Sequence, residues 1–374
     1  MIYLDSAATS LIKPACVGRA VLHAMRSMAS PGRGGHEPAM KAAETVYACR
    51  EEAAAFFHAP DPSHVVFTMN ATHGLNLAIH SLVKPGSRVV ISGFEHNAVT
   101  RPLHALGAEI RIAGRRLFDP EELLNEWESA LYGADAAVCT QVSNVFGYIL
   151  PIGEIARLCR EAGVPLIVDA SQAAGVLPVD MTKSGAAFVA MPGHKGLLGP
   201  QGTGILLCGE AGQPLLFGGS GSESRLQRMP DELPDRLEAG THNVCGIAGL
   251  LAGIRWLRRK GTETVLLHEK EILQNAIGEL QGSGAELFVG PNEHQLGVLS
   301  LRFPELDCEE LAEKLANRGV CVRAGLHCAP TAHESAGTLE TGTLRMSFSP
   351  FVTDREVETA CGILCEVSRE INKD

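Results

Sequence analysis

Short apolar runs rich in β-branched residues alternate with amphipathic stretches along the first part of the chain. The runs predict strands over 64–68, 88–92, 109–113, 136–141, 165–169, 186–191 and 203–208. Helical periodicity between them predicts helices over 71–82, 119–131 and 152–162. Strand–helix alternation calls for right-handed crossovers, hence a mostly parallel sheet covered on both faces. From Gly218 the pattern breaks: GGSGSESRLQRMPDELPDR reads as a long loop. Two helices are predicted next, over 244–260 and 263–280. The tail then carries strands at 298–303, 320–323 and 343–348 and helices at 308–317 and 354–371. This fits a smaller α+β unit. The expected division is a large domain over 15–250 and a small domain made of 1–14 with 251–374.

Length supports that division, because 374 residues exceed one ordinary core. Repeats, low-complexity tracts and long charge runs are absent from the sequence, which argues against solenoids and disorder. A net charge of −11 argues against nucleic acid or an anionic membrane as the main partner. The start, MIYLDSAATSLIKP, lacks a basic segment followed by an apolar one and holds an acid at Asp5, so no signal peptide is expected. The longest apolar stretch ends at Arg255 and is too short to span a bilayer. Eleven scattered cysteines, with no C-x-x-C pair, argue against a disulfide framework or a zinc ribbon. A reducing cytoplasm is the expected location, and no metal site is expected.

Candidate chemistry begins at Lys195, in MPGHKGLLGPQGTGIL. Its glycine neighbours would let a flat ligand approach, and partial desolvation with a nearby cation would lower its pKa as a Schiff-base lysine requires. Alone it reads more readily as a solvated loop lysine. Asp169 ends the run PLIVD, at the carboxyl end of a strand where open α/β sheets bind ligands. It could pair with a pyridinium nitrogen, or simply cap the next helix. Asn70-Ala71-Thr72-His73-Gly74 opens a helix whose free N–H groups suit a phosphate, or form a plain cap. No P-loop occurs, and no clean G-x-G-x-x-G follows a first strand. In the second half, Cys328 stands beside His327 and five residues after Arg323, with Gly325 permitting an unusual backbone. Positive charge there favours a thiolate, and a mobile loop would carry it to a substrate.

The segments FEHNA, QVSNVFG, VDASQAAG, GHKGLLGPQGTG, LEAGTHN and VRAGLHCAP occur in this order. Through them the chain resembles the class V, fold-type I pyridoxal-phosphate (PLP) enzymes, and within these the group II cysteine desulfurases, from YLDSAAT to the C-terminal helix. The resemblance implies a seven-stranded, mostly parallel α/β large domain. It implies that Lys195 carries PLP as a Schiff base and later moves protons, and that Asp169 pairs with the ring nitrogen. Gln172 would bond the phenolic oxygen and His96 would stack on the ring. Ala71, Thr72 and His194 would bind phosphate. Thr241 would reach the phosphate of a neighbouring subunit, implying a homodimer. Asn144 would lie near cofactor and substrate, with Ala8, His36 and Arg323 also on the substrate side and Arg345 gripping its carboxylate. Cys328 would attack the sulfur of L-cysteine, giving alanine and a persulfide passed to an acceptor protein, for iron–sulfur clusters, thiolated tRNA or a cofactor.

Two positions depart from the group II pattern: Leu326 replaces a common histidine and Pro192 a common serine. The loop continues as PTAHESAGT, placing His333 near the site. Three other readings stay open. They are a selenocysteine lyase, another class V reaction such as transamination or a different β-elimination with Cys328 incidental, and a non-catalytic PLP-binding scaffold. The joint presence of Lys195, Asp169 and His96 disfavours the last.

Overall fold

The computed structural model describes residues 1–32 and 34–371. A two-residue strand, β1 (Ile2–Tyr3), is followed by β2 (Val65–Thr68), β3 (Arg88–Ser92), β4 (Glu109–Ala113), β5 (Ala136–Thr140), β6 (Leu166–Asp169), β7 (Phe188–Pro192) and β8 (Gly204–Cys208). Strands β2 to β8 form one sheet in the order β2–β8–β7–β6–β5–β3–β4. Only the two ladders made by β8 are antiparallel. This is the mostly parallel seven-stranded sheet expected. Strands β5 to β8 are buried at every position, as their unbroken apolar runs require of strands covered on both faces. Trp127, Phe146 and Leu250 pack in the core on one side, Leu75, Ile79 and Leu103 in the core on the other.

Four helices in this half lie outside the predicted ones: Ala15–Ser27, Glu37–Phe57, Asn97–Ala105 and the one-turn Met181–Ser184. The second buries Ala39, Ala42, Ala53 and Ala54 beside Val46, Cys49, Arg50 and Phe57, so half of its inner stripe is alanine and leaves little hydrophobic contrast. The third contains Pro102, which reads as a breaker. Helix Pro120–Ala130 starts one residue after its predicted start because Asp119 caps it, its Oδ1 accepting the Glu122 N–H at 2.9 Å. The Gly218 loop is as expected: no helix or strand is assigned between Cys208 and Val244.

Beyond helices Val244–Lys260 and Thr262–Leu280 come β9 (Glu286–Phe288), β10 (Val298–Arg302), β11 (Val320–Cys321), β12 (Arg323–Gly325) and β13 (Thr343–Ser347). An antiparallel sheet runs β12–β13–β10–β9. The strand expected over 320–323 is two strands with different partners. Val320–Cys321 pairs with β1, whereas Arg323 sits opposite Arg345. A separate core joins Leu4 to Leu273, Leu299, Leu344 and Leu364. Ile254, Leu257 and Val265 still belong to the first core, and Ile272 to the second. The segment after β1 spans the junction: Asp5 bridges to Ser347, and Ser10 N–H donates to the His194 carbonyl at 2.9 Å.

Candidate active site

The carboxyl ends of β5, β6 and β7 open into a cleft of about 220 Å³ lined by Ala71, Thr72, His96, Asn144, Asp169, Gln172, Pro192, His194 and Lys195. Asn70 caps helix Ala71–Leu82 with its Oδ1 accepting the His73 N–H at 2.9 Å, leaving the first turn and its dipole at the cleft. Asp169, buried at the end of β6, accepts the Ser171 N–H at 2.9 Å. Gln172 Nε2 donates to the Ala7 carbonyl at 3.0 Å. His96 Nδ1 accepts the Ala98 N–H at 3.0 Å, which leaves the proton of the neutral ring on Nε2. Burial lowers the His96 pKa, against the pull of Asp169, so the neutral ring is the form present near neutrality. His194 Nδ1 lies 3.1 Å from Thr9 Oγ1, and burial, with Lys195 and Lys13 nearby, brings its pKa down to about 4.

Lys195 is half-buried by surface area, yet desolvation of its amine brings the pKa down to about 8; Asp169 opposes the shift and Arg345 assists it. The glycines around it act differently from the expectation. A Cβ at Gly193 would strike the Thr203 hydroxyl, and one at Gly196 the Ala174 carbonyl. They let the lysine loop pack against its own protein, rather than clearing space for a ligand.

A second group of side chains comes from the C-terminal sheet. Arg345, on β13, is 2% exposed and donates from Nη1 to the Asn144 carbonyl and from Nη2 to Asp5 Oδ1, each at 2.9 Å. Its Nε is buried without a protein partner. Arg323, on β12, donates to Asp5 Oδ2 from Nε at 3.1 Å and Nη2 at 2.8 Å. Asp5 thus holds both arginines, a role sequence reasoning missed. The signal available is its place in YLDSAAT, the segment where the family resemblance begins. Asp5→Asn should remove the charge that balances buried Arg345 and lower stability by about 2–3 kcal/mol in urea unfolding. An unchanged unfolding midpoint would show that the pair contributes nothing.

Cys328 is exposed and lies within electrostatic reach of Lys195, Arg323 and Arg345. The segment that carries it, which continues into the helix Pro330–Ser335, is tied to the large domain at several points. Asn144 Nδ2 donates to the His327 carbonyl and Asn97 N–H to the Cys328 carbonyl, both at 2.8 Å. Ser335 Oγ donates to the Gly93 carbonyl at 2.8 Å, and Arg115 pairs with Glu334 at 3.2 Å. His327 and Cys328 are both left-handed, at φ 48° and 56°, a conformation costing about 1–2 kcal/mol per residue that these ties hold in place. Gly325 takes φ 97°, the unusual backbone expected of it.

The remaining expected residues are dispersed. Ala8 donates its N–H to the Asp5 carbonyl at 3.1 Å. His36 caps helix Glu37–Phe57, and Thr241 is exposed in a different cleft with Thr68, His73 and Asn243. Neither lines the Lys195 cleft. Leu326 is exposed. Pro192 lies at the end of β7. His333 is fully buried behind the site, its ring 5.6 Å from that of His327 and its Nδ1 2.7 Å from Thr338 Oγ1.

Residues 2–359 match the family described as aminotransferase class-V. The chain belongs to this family. Within it, the chain is 31% identical to a probable cysteine desulfurase of Methanothermobacter thermautotrophicus, across 98% of this chain and 94% of the relative. It is 30% identical to a cysteine desulfurase of Serratia proteamaculans, across 87% and 84%. The apo structure of cysteine desulfurase from Thermococcus onnurineus superposes with a TM-score of 0.89 at 30% identity, covering 99% of this chain and 95% of that one. The cysteine desulfurase CsdA of Escherichia coli does so at 0.86 and 26%, with the same coverage. Members of these families depend in general on PLP. Among the described residues, no helix is long and apolar enough to cross a membrane.

Proposed function

We propose that this class-V enzyme is a PLP-dependent cysteine desulfurase that converts L-cysteine to L-alanine and retains the sulfur as a persulfide on Cys328. The observation that carries this reading is convergence: a desolvated Lys195 and a buried Asp169 line one cleft, and an exposed Cys328 lies within electrostatic reach of that lysine and of Arg323 and Arg345.

The residues present fit the cofactor. The helix N-terminus at Ala71–Thr72 offers N–H groups to a phosphate, with His194 beside it. Asp169 keeps a carboxylate at the strand end for a ring nitrogen, and Gln172 and His96 line the same space. Bound there, PLP supplies an electron sink for bond breaking at the substrate carbons. Lys195, with a pKa of about 8, holds its amine close to the balance between neutral and charged forms and can take up or return a proton near neutral pH. His96 presents a neutral imidazole with its proton on Nε2 and can donate there. Arg345 would exchange a present partner, Asp5 or the Asn144 carbonyl, for the substrate carboxylate, and the same proposal assigns Asn144, Ala8 and Arg323 to the substrate side. The Cys328 thiolate attacks the substrate sulfur. A sulfur–sulfur bond forms and the carbon–sulfur bond breaks; its electron pair stays with the carbon fragment, which takes up a proton and leaves as alanine.

Several finer assignments belong to the same proposal. The protein works as a homodimer: Leu22, Met25, Met40 and Tyr47 leave large apolar surface exposed, and Thr241 is exposed and able to serve a neighbour's phosphate site, while His36 is assigned to the substrate side. The large domain is 15–250, and 1–14 with 251–374 forms the small one, the two cores exchanging along the helices between 244 and 280. The persulfide passes to an acceptor protein, for iron–sulfur cluster assembly among other uses. The eleven free cysteines support a cytoplasmic location.

The test supplies purified protein with PLP, then with L-cysteine or L-selenocysteine, and measures alanine, sulfide after reductant, and selenide. Alanine and sulfide in equal amounts from cysteine are expected. Activity on selenocysteine alone would move the reading to a lyase. Amino-group transfer to a keto acid, without sulfide, would move it to a transaminase.

A further inference from the structure

Glu95 is completely buried beneath the cleft, between Ser92 at the end of β3 and His96 at its wall. Its Oε1 accepts the Ser92 hydroxyl at 2.5 Å and the Thr140 N–H, at the end of β5, at 2.8 Å. Thr140 is the ladder partner of Asp169 at the end of β6. One carboxyl group therefore joins two neighbouring strand ends, a single ladder step from the residue expected to meet the cofactor ring. The second oxygen, Oε2, is buried with no protein partner. An anion there would be poorly balanced. Asp169 faces it from β6 and the Cys139 thiol from β5, and His96 on its own segment is held neutral. Burial, reinforced by Asp169, pushes the Glu95 carboxyl up to about 8.

We propose that Glu95 is a positioning residue, kept as a neutral acid, that ties the ends of β3 and β5 so that Asp169 and His96 hold their places while Asp169 alone carries negative charge under the site. The inference rests on the reading of Asp169 and His96 as cofactor contacts, and two independent measurements separate its failure from that reading's.

The first measurement needs no cofactor. A buried acid whose pKa is raised on folding adds stability below its ordinary unfolded value, and loses it as pH rises toward the folded one, here up to about 8. Relative to Glu95→Gln, a neutral group of the same shape, the wild-type apoprotein should therefore lose melting temperature between pH 5 and 8. The comparison isolates Glu95 from the other groups that titrate in this window, among them Glu269, held up to about 8, and the half-buried His96 and His194, whose lowered pKa values act with the opposite sign. An unchanged slope overturns the proposal. The second measurement is the PLP dissociation constant at pH 7. Glu95→Gln should stay within about twofold of wild type, and Glu95→Ala should weaken binding about tenfold or more. A glutamine variant as weak as the alanine variant overturns the neutral-acid role. Should the wild type bind no PLP, the cofactor reading fails, while the melting slope still decides the protonation state of Glu95.

Discussion

Cys328→Ala should lower sulfide and alanine production from L-cysteine by roughly a thousandfold, equivalent to about 4 kcal/mol of transition-state stabilisation. The side chain can be removed cleanly. Cys328 is exposed, and its loop is held through the carbonyls of His327 and Cys328 and through Ser335 and Glu334, none of which involves the thiol. Cofactor absorbance and melting temperature should therefore match those of the wild type. Selenide release from selenocysteine should be reduced far less, because selenium leaves carbon more readily without a nucleophile. The measurement is steady-state release of both products, with mass spectrometry for an added sulfur atom on the wild type. Wild-type activity on cysteine in the variant would sink the persulfide assignment and leave Cys328 incidental.

Lys195→Ala should abolish turnover, by about four orders of magnitude or more, and should also end covalent retention of the cofactor. Borohydride should fix PLP to the wild type and leave the variant unlabelled. The pH dependence gives the lysine a signature of its own. Only the neutral amine attacks an aldehyde, and desolvation has brought the Lys195 pKa down to about 8. The rate of PLP capture by the apoprotein should rise up to about pH 8 and then level off, whereas an ordinary lysine would keep gaining for two further pH units. Labelling that persists in Lys195→Ala would relocate the attachment point. A rate still climbing at pH 10 would show the amine to be solvated.

Much of this architecture was legible in the chain itself. Strands β5 to β8 were readable because strands buried on both faces are written as unbroken apolar runs, a signal that needs no partner to be recognised. Lys195, Asp169, His96 and the Asn70 cap were readable for a related reason. Each lies at or just after the end of a strand, so local order places each at the same edge of the sheet. Glu37–Phe57 was not, because a helix buried through alanines carries too little contrast, and Asn97–Ala105 was hidden by its proline.

What only the tertiary structure decided depends on contacts between distant parts of the chain. Asp5 meets Arg345 across 340 positions, and nothing near either residue announces the pairing. The break between β11 and β12 follows from β1 arriving to pair with Val320–Cys321. The Cys328 loop is fixed by Asn97 and Asn144, which the large sheet delivers from elsewhere. Glu95 has the same composition whether exposed or buried; its neutrality comes from the strand ends that close over it and from Asp169 beside it. Periodicity and strand-end position are properties of a local segment, so the sequence carries them directly. Desolvation, charge balance and the restraint of a loop belong to pairs of segments, and these exist only once the chain has folded.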